Sequence, residues 1–185
     1  MAQRKLNLGC GSDIRPPSDG WVNLDSAKLP GVDAVWDIEK LPLPFGAEEF
    51  DEILANDILE HVEYIPVLKD LRRILKRGGK LTIRVPHFTS KNNFADPTHK
   101  KMFSYLTFDY FVKNPEFKKA REYYFDFHFA SVKTHMTFER SSRWFFYNKI
   151  IEPIVNLNFK TKYLYEATGL SHAFPAENIV AELIK

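Results

Sequence analysis

The sequence lacks the cysteine and histidine patterns of disulfide-rich and zinc-binding proteins. Cys10 is the single cysteine among 185 residues, so it has no partner for an internal disulfide. The six histidines are scattered along the chain, and we therefore expect neither a Cys/His zinc site nor any other metal site. A lone thiol fits a reducing, intracellular compartment.

An excess of charge of one sign and a long apolar run are also missing. Lys and Arg number 26, and Asp and Glu number 24, which leaves a formal charge of +2. This balance argues against a dedicated nucleic-acid binder, because such proteins neutralise phosphates with basic side chains. No segment approaches the roughly 18 consecutive apolar residues that span a bilayer, and the first residues lack a signal-peptide core. We expect a soluble, cytoplasmic protein with one domain over residues 1–185.

The two halves of the chain, divided at Pro86, differ in composition. Residues 1–86 carry 12 basic and 14 acidic side chains, whereas residues 87–185 carry 14 basic and 10 acidic ones. Of the 16 phenylalanines, 14 follow Pro86, as do seven of the eight tyrosines. We therefore expect a general scaffold in the first half and a more specialised part in the second.

Short apolar segments in the first half predict five buried strands. They lie at 5–8, 20–25, 32–36, 50–55 and 81–85. Apolar residues at helical spacing predict a helix over 64–76, which Gly78 and Gly79 would end as a C-terminal cap. Strands separated by crossovers imply a parallel sheet with a ligand crevice at the carboxyl ends of the strands.

Three of these strands end at residues suited to binding a nucleotide. The first ends at the turn Gly9-Cys10-Gly11, where glycine lets a ligand approach the backbone. The next two end at Asp25 and Asp37, and a carboxylate in such a position can accept the hydroxyl groups of a ribose. Each motif alone is as well explained by a tight turn or a solvated strand end. Their order along the chain favours a shared ligand site.

The third glycine of a dinucleotide-binding loop is missing. Such a loop opens a helix whose N-terminus holds the pyrophosphate. Here Pro16 and Pro17 follow Gly11 closely and prevent a helix of useful length. Pyrophosphate binding is therefore disfavoured.

Together these motifs resemble the class I S-adenosylmethionine-dependent methyltransferases, in particular small members of the methyltransferase type 11 kind. The resemblance covers residues 5–86 and rests on Leu-Asn-Leu-Gly-Cys-Gly at 6–11, Asn-Leu-Asp at 23–25 and Leu-Pro-Leu-Pro-Phe at 41–45. It implies a Rossmann-like α/β fold: a seven-stranded, mostly parallel sheet with an antiparallel last strand and helices on both faces. We expect the sixth and seventh strands over 123–133 and 178–184.

The resemblance also implies S-adenosylmethionine as cofactor and S-adenosylhomocysteine as product. The glycine loop would pass beneath the methionine and ribose parts, Asp25 would hold the ribose, and Asp37 with Ile38 would lie beside the adenine. The loop after the fourth strand would line the methyl-transfer site. The implied cofactor-binding residues are Asn7, Leu8, Gly9, Cys10, Gly11, Asp25, Asp37, Ile38, Asn56 and Asp57. Asn7 stands where the family often has an acidic residue, which implies an indirect contact there.

Four residues are candidates for acid–base catalysis near the acceptor: His61, His87, Asp96 and His99. A histidine can take up a proton near neutral pH, and the Asp-Pro-Thr-His stretch at 96–99 also resembles the same small methyltransferases. The structural alternative for Asp96 is a helix N-cap followed by proline at the first helical position. For His61 the alternative is capping or packing at the start of a helix.

The aromatic residues of the second half have two interpretations. They could stack on a flat acceptor or a sugar ring, or form the core; the residues concerned are Phe94, Phe103, Tyr105, Phe108, Tyr110 and Phe111. A further helix is predicted around 147–155, where Pro153 should kink it or mark one end. Its apolar face would pack on the sheet, or would face a lipid surface or a second copy of the chain in a homodimer.

The expected function is methyl transfer from S-adenosylmethionine to a small or medium metabolite, for which fold analogy suggests a saccharide or secondary metabolite. Because the sulfonium is already activated, the fold mainly aligns the acceptor and excludes water. Two alternatives stay open. A nucleic-acid methyltransferase would need a continuous basic, aromatic-lined face. A regulatory or scaffold protein that binds the cofactor without turnover would lack a formed acceptor pocket.

Overall fold

Seven strands form one sheet in the described part of the chain. A computed structural model describes residues 3–113, 117, 121–141 and 143–185. The strands are β1 (Lys5–Leu8), β2 (Trp21–Asp25), β3 (Ala34–Val35), β4 (Phe50–Asn56), β5 (Leu75–Pro86), β6 (Ser131–Thr137) and β7 (Asn178–Ile184). Their order is β3-β2-β1-β4-β5-β7-β6, with β7 antiparallel to both neighbours and the other pairs parallel. The predicted Rossmann-like sheet with an antiparallel last strand is confirmed.

Five α-helices accompany the sheet among the described residues. They are α1 (Tyr64–Ile74), α2 (Asn92–Ala95), α3 (Asn148–Val155), α4 (Phe159–Ala167) and α5 (Leu170–Ala173). In α1 the predicted apolar face is buried, with Val67, Leu68, Leu71 and Ile74 in the core. No described helix combines the length and the apolar character that crossing a membrane requires.

A short crossover joins β1 to β2. Its prolines were predicted to prevent a helix, and Pro17–Asp19 forms only one 3₁₀ turn before Gly20. The connection is therefore compact, and it leaves the turn after β1 beside the end of β2. Cys10 confirms this closeness, because its N–H donates to the carbonyl of Leu24 on β2 at 3.0 Å.

The predicted cap at Gly78 and Gly79 is wrong. The helix α1 ends at Ile74, and the next residue already belongs to β5. Gly78, with φ +72°, donates its N–H to the carbonyl of Lys185 at 2.8 Å, and the N–H of Lys185 donates to Gly79 at 3.1 Å. The two glycines therefore pair with the last residue of the chain. They also lie where the register of β5 against β4 shifts.

The sixth strand lies later in the chain than predicted. Residues 123–133 were expected to form it, but β6 runs over Ser131–Thr137, and Glu122–Tyr124 is a 3₁₀ turn. The aromatic residues that precede β6 pack instead in a cluster: the rings of Phe125 and Phe127 stack on Phe111 with centroids 4.6 and 5.6 Å apart. The predicted bounds of the seventh strand are confirmed by β7.

The predicted helix around 147–155 is α3, and Pro153 lies inside it, two residues before its end. Val155 is buried, whereas Ile150 and Ile154 are exposed over 62% and 52% of their surface. One side of α3 thus packs on the protein. Contact of the other side with a second copy or a lipid surface stays a prediction.

Most of the candidate stacking aromatics belong to the core. Phe103 and Phe108 are fully buried and stack on each other with centroids 5.9 Å apart, and Tyr105 and Phe111 are buried beside them. Tyr110 is partly buried against the same core. Phe94 differs, because 74% of its surface is exposed. The core interpretation is therefore confirmed for the buried members of the set, and Phe94 is the one that remains available to a ligand.

Candidate functional site

The turn after β1 needs glycine at two positions for two different reasons. Gly9 has φ +63°, and a Cβ built on it would lie 2.6 Å from Cγ1 of Ile58, so a side chain does not fit. Gly11 has φ +49°, and a Cβ there would meet no atom within 4 Å. Gly9 thus packs tightly against the protein, whereas the backbone of Gly11 faces open space that a ligand can occupy.

Asp25 lies at the end of β2 and holds the glycine turn with its carboxylate. Oδ2 accepts the N–H of Gly11 at 2.8 Å, and Oδ1 accepts the N–H of Ala27 at 2.9 Å. An ionised carboxylate has about four acceptor positions, so roughly two remain for hydroxyl groups. Burial, and after it the charge of Asp25, raises the pKa of the Cys10 thiol and keeps it protonated. The carboxylate and the open turn therefore fit a ribose diol.

Asn7 and Leu8 are the buried residues at the end of β1, directly before this turn. The amide nitrogen of Asn7 donates to the carbonyl of Asp13 at 2.7 Å and to Oδ1 of Asn23 at 3.2 Å. Both asparagines are buried, and Leu8 is fully buried at the end of β1. The side chain of Asn7 therefore ties the turn to the crossover that follows it. This agrees with an indirect role toward the cofactor, which stays a prediction.

Asp37 lies beyond β3 and is exposed. Its Oδ1 accepts the N–H of Glu39 at 3.0 Å, and Nζ of Lys40 lies 4.0 Å from Oδ2. The neighbouring Ile38 is buried in the core. Asp37 thus keeps acceptor capacity toward solvent, and its predicted role beside an adenine stays a prediction.

An ion pair joins the ends of β4 and β5. Asp57 follows Asn56 with φ +52°, and its oxygens accept Nε of Arg84 at 2.9 and 3.0 Å, with a further bond from Nη2. This bond raises the pKa of Arg84. Sequence reasoning missed Arg84, although a charged residue within the apolar strand Leu-Thr-Ile-Arg-Val was a usable signal. The pair forms a wall next to the predicted methyl-transfer site.

A cleft of about 900 Å³ opens at the carboxyl ends of β4 and β5. It brings together four predicted site residues that are distant in sequence: Asp57, His61, Asp96 and His99. The other lining residues are Glu60, Arg84, Pro86, Asn92, Ala95, Pro97, Glu177 and Asn178. Another concavity of about 810 Å³ lies beside α1 and contains none of the predicted residues. The cleft at the strand ends is therefore the candidate acceptor region.

Asp96 is not the N-cap considered above. It follows α2, and its Oδ1 accepts the N–H and the hydroxyl of Thr98 at 2.8 and 2.6 Å. These bonds lower the pKa of Asp96. The oxygen of Thr98 in turn lies 2.9 Å from Nδ1 of His61. An aspartate turn therefore connects the loop after α2 to His61.

Glu60 is the residue of the cleft that sequence reasoning missed most clearly. Its side chain is fully buried, and burial raises its pKa to about 7. Its backbone carbonyl accepts the N–H groups of Lys100 and Lys101 at 2.8 and 3.1 Å. This clamp brings the loop that carries His99 onto His61, and the two imidazole rings meet edge to face with centroids 4.6 Å apart.

His87 lies apart from the cleft. It is fully buried, with Nε2 3.0 Å from Oε1 of Glu166 and Nδ1 2.7 Å from the hydroxyl of Thr89. Glu166 also accepts the hydroxyl of Ser104 and the N–H of Tyr105. Both ring nitrogens of His87 are thus occupied by a buried network, and the structure does not place it with the other candidate catalytic residues.

A second pocket of about 260 Å³ adjoins the cleft. Phe94, Phe145 and Tyr147 line it, together with Glu177, which also lines the cleft. Burial, and after it the charge of Glu139, raises the pKa of Glu177. Sequence reasoning missed Glu177, because its position before β7 becomes significant only when the sheet is assembled. The aromatic rings form a surface suited to a flat or ring-shaped ligand.

Comparisons with known proteins agree with this geometry. Residues 10–83 match the sequence model of the methyltransferase domain family. A segment of 45 residues is 49% identical to an uncharacterized protein of Methanocaldococcus jannaschii, and it spans 24% of this chain and 20% of that relative.

Solved structures share the fold across the whole chain. A SAM-dependent methyltransferase of Archaeoglobus fulgidus matches with a TM-score of 0.61 and 19% identity, over 100% of this chain and 86% of that one. Phosphoethanolamine N-methyltransferase 2 of Haemonchus contortus, solved with S-adenosyl-L-methionine, matches with a TM-score of 0.54 and 16% identity, over 100% of this chain and 49% of that one. Residues 10–83 thus match the methyltransferase domain family, and the chain has the Rossmann-like fold of these methyltransferase structures.

Proposed function

We propose that this chain transfers the methyl group of S-adenosylmethionine to a small or medium metabolite. One observation carries the proposal: the half-buried carboxylate of Asp25 is held beside the open backbone of Gly11 at the ends of two adjacent parallel strands. Ligands of open α/β sheets bind at this edge, and the free acceptor positions of Asp25 match the two hydroxyls of a ribose.

The residues of the chain have distinct tasks in this proposal. Bound S-adenosylmethionine supplies a methyl group that its positive sulfur has already activated. Asp25 and the turn at Gly11 bind the ribose and fix the orientation of the cofactor. Asp57, paired with Arg84, lines the cleft beside the expected methionine end of the cofactor. The protein then has to hold an acceptor in line and to exclude water.

The pocket beside the cleft supports a metabolite as the acceptor. Its volume of about 260 Å³ suits a small molecule, and Phe94 and Tyr147 offer faces for a sugar or another ring. Glu177 lies where the pocket and the cleft meet, within reach of a polar group of the acceptor. A saccharide or a secondary metabolite is the class we propose.

The charge of the cleft argues against a nucleic acid. Four carboxylates line it: Asp57, Glu60, Asp96 and Glu177. Arg84 is the single lysine or arginine among the described residues that line it, and it is already paired with Asp57. A phosphate backbone would therefore be repelled. The formed aromatic pocket also favours an enzyme over a scaffold protein that binds the cofactor without turnover.

The acceptor atom decides whether the chain must supply a base. A neutral amine needs no proton acceptor before attack, whereas a hydroxyl group does. His61, His99 and Glu177 are the groups of the cleft that could accept such a proton. These two histidines and one carboxylate come from three segments of the chain and line the same cleft.

Calorimetric titration with S-adenosylhomocysteine tests the proposal, with NAD as a matched nucleotide control. We expect micromolar binding of S-adenosylhomocysteine and no heat with NAD, because the loop lacks a pyrophosphate site. A screen of saccharides and ring-containing metabolites for methyl transfer would then follow. If the folded protein does not bind S-adenosylhomocysteine at millimolar concentration, the proposal is refuted.

A further inference from the structure

A cluster of potential metal ligands lies in the cleft. Glu60, His61 and His99 each offer one ligand atom, and these atoms lie within 4.8 Å of one another. The three residues come from two segments that the clamp at the Glu60 carbonyl holds together. The scattered histidines of the sequence predicted no metal site, but folding brings two of them to one point.

The carboxylate of Glu60 lacks the partners that a buried charge requires. Its side chain is 0% exposed, and neither oxygen has a hydrogen bond among the described residues. Burying a carboxylate in this way is costly unless a cation or a proton compensates it. A protonated carboxyl would still leave its O–H without an acceptor. A bound cation would compensate the negative charge directly.

Hydrogen bonds fix the tautomer of His61. The hydroxyl of Thr98 donates its single proton to Oδ1 of Asp96 at 2.6 Å. Its oxygen can therefore only accept from Nδ1 of His61, which lies 2.9 Å away. Nδ1 then carries the proton, and Nε2 presents a lone pair. A carboxylate that orients a histidine through such a chain is typical of the outer shell of metal sites.

His99 lies near the same carboxylate. Its Nε2 is 3.8 Å from Oδ2 of Asp96, too far for a direct hydrogen bond, but the negative charge favours a proton on that nitrogen. Its Nδ1 is buried and has no hydrogen-bond partner among the described residues. A proton on Nε2 leaves the lone pair of His99 on Nδ1. Asp96 in this way leaves one unprotonated nitrogen on each of the two histidines.

We propose that Glu60, His61 and His99 bind a divalent transition-metal ion such as Zn²⁺, Mn²⁺ or Co²⁺. Two imidazoles and one carboxylate form a ligand set that these ions accept readily. Three protein ligands would leave at least one coordination position for a ligand from outside the chain. If the chain acts as proposed above, an oxygen of the acceptor would occupy one of them; this last step rests on the proposed function, whereas the metal site does not.

Direct metal binding tests the site without any enzyme assay. Protein stripped with EDTA is titrated with Zn²⁺ by calorimetry and with Co²⁺ by visible absorption. We expect one ion per chain, and displacement of Co²⁺ by Zn²⁺. The variants Glu60→Gln, which is isosteric, and His99→Gln should each weaken binding at least about tenfold, since each removes one of three ligands. His172→Gln, at an exposed histidine outside the cluster, is the matched control and should bind as the wild type does.

The outcomes separate the site from the proposed function. Equal Co²⁺ spectra and affinities for the wild type, Glu60→Gln and His99→Gln would overturn the metal site, as would the absence of binding to folded wild-type protein. Circular dichroism identifies any variant that fails to fold, and the wild-type stoichiometry then decides alone. The same samples are titrated with S-adenosylhomocysteine. If the protein binds the metal but not S-adenosylhomocysteine, the metal site stands and the methyltransferase proposal is refuted.

Discussion

The carboxylate of Asp25 accepts the backbone N–H of Gly11 at 2.8 Å. This bond joins the end of β2 to the turn after β1 and fixes the relative position of a negative charge and an open backbone. Together with the bond from the N–H of Ala27, it uses about two of the four acceptor positions of the carboxylate, so about two remain for a ligand. The residue that shapes the turn is therefore also the residue that we expect to bind the ribose.

Replacing Asp25 tests both tasks. Asp25→Ala should weaken the binding of S-adenosylhomocysteine by about 1–3 kcal/mol, because a charged hydrogen-bond partner is lost. Asp25→Asn keeps one acceptor oxygen and should have an intermediate effect. Calorimetry measures both variants. Asp19→Ala, at an exposed carboxylate of the same crossover, serves as control. Equal affinity of the Asp25→Ala and Asp19→Ala variants for S-adenosylhomocysteine would show that Asp25 does not bind the cofactor.

Alanine at the two glycines of the turn should have different consequences: mainly a loss of stability at Gly9, and mainly a loss of ligand binding at Gly11. Gly9→Ala forces a Cβ into Ile58 and should lower the free energy of unfolding by at least about 2 kcal/mol. Gly11→Ala carries only the penalty of its positive φ, about 1–2 kcal/mol, but its methyl group occupies the ligand space. Urea denaturation and titration with S-adenosylhomocysteine distinguish the two. A Gly11→Ala variant that binds like the wild type would contradict the proposed position of the cofactor.

Glu166 should be essential for stability and not for cofactor binding. Glu166→Ala leaves the buried His87 and the N–H of Tyr105 without their acceptor, so we expect a loss of about 3–5 kcal/mol. Glu166→Gln keeps one acceptor and should lose less. Urea denaturation measures this, with the exposed Glu182→Ala as control. A loss no larger than that of the control would show that the His87 network does not hold the second half of the chain.

Glu60 should make the stability of the metal-free protein depend on pH. Its pKa is about 7 in the folded protein against 4.5 for the free side chain. Because the folded state holds the proton more tightly, this contribution is complete below pH 4.5 and is lost as the pH rises through 7. The difference corresponds to about 3 kcal/mol.

Urea denaturation in EDTA at about pH 5 and about pH 8 measures this loss. Glu60→Gln has no such group and should show a smaller decrease over the same interval. The two proteins share every other ionisable group, so the difference between the two curves isolates Glu60. Parallel curves for the wild type and the variant would contradict the raised pKa.

Local sequence patterns predicted much of the fold. The bounds of β1, the start of α1 and the bounds of β7 follow from apolar periodicity and from the residues that interrupt it. Two predictions from these patterns were wrong: the helix cap at Gly78 and the start of the sixth strand before β6. In the first case the backbone pairs with Lys185 at the far end of the chain, and in the second the rings pack on Phe111. Both outcomes depend on contacts between segments that are distant in sequence.

The sequence by itself determined the glycine turn and the acid at the next strand end, because parallel strands must present their carboxyl ends at one edge of the sheet. Only the tertiary structure decided that His61 and His99 share a cleft, while His87 is enclosed elsewhere. The Glu60 carbonyl that accepts two N–H groups from residues 100 and 101 draws His99 onto His61. The same folding buries the side chain of Glu60, with one carboxylate oxygen within 4.8 Å of a ring nitrogen of each histidine. A buried carboxylate without a hydrogen-bond partner among the described residues becomes evident only when its surroundings are known.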